Sequence, residues 1–179
     1  MIIETPRLIL RKIDPQRDFE AWAYTMADAS TVRYLGAKPM SRGEAWRNMA
    51  MAIGHWEIRG YGPFSVEHKA SGEWVGRVGP WYPEDWPVRE VGWTTSPRHL
   101  RKGYALEAAR AAIDFVFSEL GWSDVFHMIL EGNEPSMALA SKLGSSHLRS
   151  HAGLPGITDR IVVVYGQSRA VEPGADGTE

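Results

Sequence analysis

The sequence contains no cysteine among its 179 residues. Disulfide bonds, thiolate metal sites and a cysteine nucleophile are therefore excluded. A large excess of charge of either sign is also missing, because the formal net charge is -2 and the pI is near 6.3. Nothing in the overall charge attracts nucleic acid or an anionic membrane, so we expect neither as a partner.

Long apolar runs are missing as well. No stretch reaches about 18 consecutive apolar residues, and the N-terminus has no basic segment followed by an apolar one. We therefore expect a soluble, cytoplasmic protein, either a monomer or a homodimer. The histidines show no spacing with a carboxylate typical of a zinc-binding helix, such as His-Glu-x-x-His, so we expect no metal.

What is present suits one domain with a single core, since 44% of the residues are hydrophobic. We assign residues 1–167 to this domain. From residue 168 to residue 179 the chain consists mainly of glycine, proline, acidic and small residues, which is typical of a flexible tail.

Hydrophobic periodicity predicts a mixture of strands and helices. Strands are predicted at 7–11, 64–68, 74–78, 89–95, 125–130 and 161–165, and helices after Pro15, Ser41, Gly103 and Asn133. The polar turn at 69–73 predicts an antiparallel hairpin, whereas the helix between residues 95 and 125 implies a right-handed parallel crossover. The predicted class is α/β with a mixed, mostly antiparallel sheet.

One turn stands out as a possible anion site. Gly103 precedes a helix, so the backbone there can approach a phosphate closely while free amides and the helix dipole attract it. Arg98, Arg101 and Lys102 add positive charge beside this turn. The nucleotide-binding pattern Gly-x-x-x-x-Gly-Lys-[Ser/Thr] is absent, and no Gly-x-Gly-x-x-Gly follows a strand. A plain basic turn with solvated charges is the alternative interpretation.

The strand at 91–95, the loop at 98–103 and the helix start at 104–108 together resemble the acetyl-CoA segment of the GNAT N-acetyltransferase superfamily. The closest resemblance is to its RimJ/RimL-like branch. Shared features there are the opening Glu-Thr-Pro-Arg-Leu-Ile-Leu-Arg at 4–11, the pair Asp18-Phe19, the step Asn133-x-x-Ser136 and the ending Lys-Leu-Gly at 142–144. The resemblance implies a single-domain GNAT-like fold with a splayed parallel strand pair and helices on both faces.

The resemblance also implies a set of contacts with acetyl-CoA. Backbone atoms of Trp93 and Thr95 would pair with the pantetheine arm, and Asn133 would reach the pantetheine while also capping its helix. The pyrophosphate would lie on the loop and helix start formed by Arg98, Leu100, Arg101, Lys102, Gly103, Tyr104 and Ala105. Leu100 stands where the family often has Gln or Arg, and Arg101 where it often has Gly, but binding through backbone amides does not depend on those side chains.

Two residues are candidate catalytic groups. The Tyr that many family members use to protonate the departing thiolate is replaced by Ala140, so Ser136 is our candidate acid, with a first-turn backbone contact as its alternative role. Glu90 is our candidate base, since it precedes Val91 on the central strand and alternation places it on one face with Gly92 and Thr94; a solvated ion pair with Arg89 is the alternative. We interpret His127, inside an apolar strand, as a hydrogen-bonded core residue.

The predicted reaction is acetyl transfer from acetyl-CoA to a primary amine, either a protein N-terminus or a small molecule. Glu84, Asp85 and Trp86, together with residues 56–61, are candidates for the acceptor side. A non-catalytic acyl-CoA-binding regulatory module remains a second hypothesis, motivated by the missing Tyr at Ala140. A loop that binds another phosphorylated ligand is a third.

Overall fold

The computed structural model describes residues 1–154 and 158–169. Eight strands and five helices follow one another along these residues, with a short 3₁₀ turn at Pro97–His99. The strands are β1 (Ile2–Glu4), β2 (Leu8–Arg11), β3 (Phe64–His68), β4 (Trp74–Trp81), β5 (Glu90–Thr95), β6 (Asp124–Leu130), β7 (Ser146–Leu154) and β8 (Thr158–Ser168). The helices are α1 (Pro15–Met26), α2 (Ala29–Val32), α3 (Arg42–Arg59), α4 (Tyr104–Ser118) and α5 (Glu134–Lys142).

All eight strands form one sheet in the order β1-β2-β3-β4-β5-β6-β8-β7. Every neighbouring pair is antiparallel except β5 and β6, which are parallel and joined through α4. The mixed, mostly antiparallel sheet predicted from the sequence is thus confirmed. Parallel strands need such a crossover because the chain must return to the same end of the sheet.

Helices α1 and α3 cover one face of this sheet. Asp14 caps α1, and Ser41 with Glu44 forms a capping box at the start of α3. Trp22 and Met49 lie in a buried cluster that these helices form over β4. The predicted helices after Pro15 and Ser41 are therefore confirmed.

Helix α4 covers the other face. Its buried side carries Ala108, Ala109 and Ala112, which let the helix approach the sheet closely, together with Val116. It ends at Ser118, and Gly121 follows with a left-handed conformation, φ 64°.

Some elements differ from the prediction. Strand β7 was not predicted, because it lies at the sheet edge and most of its side chains are exposed, so its apolar pattern is weak. Strand β4 continues to Trp81, beyond the predicted end at residue 78, and so includes Pro80. Ser168 ends β8 instead of starting the tail, and Arg169 donates to the carbonyl of Ser123. The rest of the predicted tail, 170–179, lies outside the described residues.

Candidate active site

Strands β5 and β6 separate soon after they meet. Their ladder contains one registered pair, Glu90 with Phe126, within the described residues. Phe126 N–H also donates to the carbonyl of Arg89 at 3.1 Å. Beyond this point the edge of β5 that faces β6 has no strand partner, which leaves a V-shaped opening with Glu90 at its vertex.

The backbone groups of Trp93 and Thr95 point into this opening. The carbonyl of Val91 accepts a hydrogen bond from the β6 side, and residues two apart along a strand direct their backbone groups to the same side. Pro80 stands opposite Val91 on β4 and has no N–H to offer it, in agreement with that orientation. Trp93 and Thr95 therefore expose donors and acceptors where the sequence predicts the pantetheine arm.

His127 fills part of the wedge between the two strands. Its Nδ1 lies 2.7 Å from the Val91 carbonyl and must donate to it, so Nε2 accepts from the Ser145 hydroxyl at 2.9 Å. Gln167 donates in turn to Ser145 Oγ. Burial lowers the pKa of His127 to about 4, so the ring stays neutral at pH 7. The interpretation of His127 as a hydrogen-bonded core residue is confirmed.

The Glu90 carboxylate lies at the vertex of the opening. Oε1 accepts from the Met128 N–H at 3.2 Å, and Oε2 accepts from the Trp86 indole at 2.9 Å. The side chain is 8% exposed, and burial raises its pKa to about 7. A β-carbon at Gly92 would lie 3.3 Å from Oε1, so a side chain there would crowd the carboxylate.

The alternative role for Glu90, an ion pair with Arg89, is wrong. The guanidinium of Arg89 instead lies over the ring of Trp122, with Cζ 5.8 Å from its centroid. Arg77 on β4 is the cation whose charge acts on Glu90, and it lies beyond ion-pair distance.

Ser136 lies in the first turn of α5, across the opening from β5. Its hydroxyl oxygen accepts a hydrogen bond from the Trp93 indole at 3.2 Å, which leaves the hydroxyl proton available for donation. Asn133 caps the helix, since its side-chain oxygen accepts from the Ser136 N–H at 3.4 Å. The cap role predicted for Asn133 is thus confirmed, and its side-chain NH₂ remains free of protein partners within the described residues.

The turn that opens α4 is built to expose amides. Gly103 is the N-cap, with φ 79°, and no side chain caps the helix. The first helical hydrogen bond runs from Glu107 N–H to the Gly103 carbonyl, so the amides of Tyr104, Ala105 and Leu106 have no intrahelical acceptor. The helix dipole adds a partial positive charge at this place.

The side chains of the loop before Gly103 point in different directions. Leu100, Arg101 and Lys102 are exposed, and Arg101 has a positive φ of 61°. This left-handed conformation favours glycine, so Arg101 holds a backbone conformation that a side chain disfavours. Arg98 extends to α1, where its Cζ lies 4.3 Å from the ring centroid of Tyr24.

Arg7 and Glu107 form a clamp on this turn that the sequence did not predict. Arg7 Nε donates to Glu107 at 2.6 Å, and Arg7 Nη1 donates to the Lys102 carbonyl at 3.0 Å. Thr5 Oγ1 also donates to Glu107, at 2.6 Å. Although burial opposes it, hydrogen bonds from Thr5 and Arg7 hold the pKa of Glu107 below its usual range. Contacts about 100 residues apart leave no signal in local periodicity.

The residues suggested for the acceptor side lie in different surroundings. Trp86 reaches the vertex through its hydrogen bond to Glu90. Glu84 forms an exposed ion pair with Arg59. Trp56 is 4% exposed and donates to the Pro63 carbonyl, so it belongs to the core.

Within the described residues, no three or more His, Asp or Glu side chains are arranged to hold a metal ion. His147 and His151 are four apart in sequence but lie on strand β7, where that spacing corresponds to about 13 Å. None of the helices described combines the length and the hydropathy that a membrane crossing requires.

Comparison with known proteins gives consistent matches. The family model for the acetyltransferase (GNAT) domain matches residues 7–146. The uncharacterized N-acetyltransferase YoaA of Bacillus subtilis (strain 168) is 31% identical over 146 residues, which cover 80% of this chain and 81% of that protein. An acetyltransferase structure from Agrobacterium tumefaciens str. C58 has a TM-score of 0.81 at 25% identity, covering 94% of this chain and 95% of the other. RimL, a ribosomal L7/L12 alpha-N-protein acetyltransferase solved in complex with coenzyme A, has a TM-score of 0.77 at 15% identity, covering 94% and 98%.

Proposed function

The chain belongs to the GNAT acetyltransferase family, and we propose that it moves an acetyl group directly from acetyl-CoA to a primary amine. The family assignment made from the sequence is confirmed. RimL among the structural neighbours supports the RimJ/RimL-like branch at the level of the fold.

The residues present fit acetyl-CoA. The amides of Tyr104, Ala105 and Leu106 are free donors at a helix N-terminus, which suits a pyrophosphate. Trp93 and Thr95 offer backbone groups along the open edge of β5, which suits the amides of a pantetheine arm. When bound, acetyl-CoA supplies the acetyl group as a thioester activated toward amines.

Glu90 acts as the general base in this proposal. A pKa of about 7 leaves the carboxylate about half ionised at neutral pH, the condition in which a base can both accept and release a proton. Oε1 and Oε2 each accept one hydrogen bond from the protein and retain a further lone pair for the proton of the acceptor ammonium. Glu90 thus takes the proton that must leave the amine before it can attack.

Ser136 acts as the acid that protonates the thiolate, and water at the mouth of the opening returns a proton to its oxygen. Because the Trp93 indole occupies one lone pair of Oγ, the hydroxyl proton is directed away from that indole. Ala140 is buried against Ile129 and Val163, and its methyl group cannot donate a proton. The contact between Trp93 of β5 and the hydroxyl of Ser136 on α5 supports our assignment of the acid role to Ser136.

The observation that carries the proposal is the buried Glu90 carboxylate at the vertex of the strand opening, together with the free amides at the start of α4, the helix that follows β5. The test mixes the protein with acetyl-CoA and a panel of primary amines, follows thiol release, and identifies the acetylated amine by mass spectrometry. We expect thiol release that depends on the amine. Calorimetric binding of coenzyme A without thiol release for any amine would favour the non-catalytic binding module.

Gly103→Glu tests the placement of the cofactor. The new side chain occupies the anion site, so we expect coenzyme A affinity to fall at least about 100-fold, since blocked charge-assisted hydrogen bonds cost about 1.5 to 3 kcal/mol each. Gly72→Glu is the matched control, because Gly72 is also left-handed, at φ 69°, but lies in the β3–β4 hairpin with open space around it. Equal affinities for coenzyme A in the two variants would refute the loop assignment.

A further inference from the structure

Arg77 is a charged side chain on the same face of the sheet as Glu90. It lies on β4 directly opposite Thr94 of β5, and alternation along β5 places Thr94 and Glu90 on one face. Helix α1 covers this face, and the guanidinium Cζ lies 5.1 Å from the ring centroid of Trp22. The residue is only partly exposed.

The guanidinium of Arg77 has no hydrogen-bond or ion-pair partner within the described residues. Arg11 occupies the same cross-strand row and is fully engaged, since it bonds Asp18 twice and Glu67 once. Burial lowers the pKa of Arg77 to about 10, so it stays charged at pH 7. Its five donors are only partly removed from water, and because no acceptor among the described residues occupies them, they are available to an anionic ligand.

Two glycines lie in the sheet between Arg77 and Glu90, and the three atoms nearest to a β-carbon built at Gly92, its chain neighbours apart, all belong to Glu90. Gly79 and Gly92 face each other across β4 and β5 between the two charged groups. Thr94, 6% exposed, forms no side-chain hydrogen bond in the described part of the chain. A small molecule above these glycines would meet a carboxylate at one end and an unpaired guanidinium with a hydroxyl at the other.

We propose that Arg77 and Thr94 bind an anionic group of the acceptor, so that the preferred substrates are small amines that also carry a carboxylate or a phosphate. This rests on the proposed acetyl transfer. When Glu90 accepts the proton of the amine it becomes neutral, and the partly exposed Arg77 then loses the negative charge that acts on it. An anion on the acceptor balances that charge throughout the reaction.

The experiment compares matched acceptor pairs in wild type, Arg77→Met and Arg77→Lys. Each amino acid is paired with its C-terminal amide, and phosphoethanolamine with ethanolamine. We expect wild type to favour the anionic member by about 10- to 100-fold in kcat/KM, the value of a charge-assisted bidentate contact. Arg77→Met should abolish the preference mainly through KM, and Arg77→Lys should keep part of it. Whether carboxylates or phosphates show the larger preference identifies the anion.

The two members of an acceptor pair differ in amine basicity as well as in charge. This difference affects wild type and Arg77→Met alike, so comparing their kcat/KM ratios removes its effect. Arg42→Met, which removes an exposed charge of α3, is the control and should keep the wild-type preference. If Arg77→Met does not fold, competition decides: a carboxylic acid without an amine should compete with the acceptor in wild type. Equal ratios in wild type and Arg77→Met, or no competition, would overturn the inference. Absence of thiol release with every amine would instead refute the proposed function.

Discussion

Glu90→Gln tests the base through stability as well as through activity. Unfolding exposes the Glu90 carboxyl to water, where its pKa is about 4.5, whereas in the fold burial raises the pKa to about 7. Between these values the folded chain holds a proton that the unfolded chain has released, so stability falls as pH rises through this window. The free energy of unfolding falls by about 3 kcal/mol by about pH 8. Glutamine cannot ionise and removes this dependence.

The assay is urea denaturation of wild type and Glu90→Gln at pH steps from about 4.5 to about 8. Across that range we expect the free energy of unfolding of the variant to rise by about 3 kcal/mol relative to that of wild type. The altered Trp86 hydrogen bond adds an offset that is the same at every pH. Glu84→Gln, at an exposed site, should show no such gain. In kinetics, wild-type kcat/KM should rise with an inflection near pH 7, and Glu90→Gln should lose the inflection and about 10²- to 10⁴-fold in rate. Parallel pH curves for the stability of the two proteins would refute the reasoning.

Three further substitutions have specific expected outcomes. Ser136→Ala should lower kcat about 10- to 100-fold while coenzyme A affinity changes less than about 2-fold. Ser141 lies on the same helix, and its hydroxyl donates to the Met137 carbonyl, so Ser141→Ala should leave kcat unchanged. Arg101→Gly should stabilise the apo protein by about 1 kcal/mol in denaturant titrations, because Arg101 has a left-handed backbone; lower stability would contradict this. Glu107→Gln should weaken coenzyme A binding about 3- to 10-fold in calorimetry by loosening the clamp at Lys102; unchanged affinity would show that the clamp only holds the N-terminal segment.

Local chemistry made much of the fold predictable. The capping box at Ser41, the glycine at Gly103 and the cap at Asn133 act within a few residues, so their signals are present in the sequence itself. The edge strand β7 escaped prediction because a strand with one neighbour and an exposed face needs no apolar pattern.

The candidate site was predictable only in part. The place of Glu90 on the central strand follows from alternation, but its partners do not, since Met128 comes from another strand and Trp86 from a loop. The Arg7 to Glu107 clamp depends on tertiary packing alone. Helical spacing alone would allow Glu107 to pair with Arg110, yet Arg110 donates to the Lys142 carbonyl, because the N-terminal segment offers Glu107 three donors at once.

A crystal structure of the protein with coenzyme A tests the central claim most directly. We predict that the pyrophosphate oxygens lie within hydrogen-bond distance of the amides of Tyr104, Ala105 and Leu106. We also predict that the sulfur lies between Glu90 and Ser136. A pyrophosphate bound elsewhere, with those three amides bonded within the protein, would contradict it.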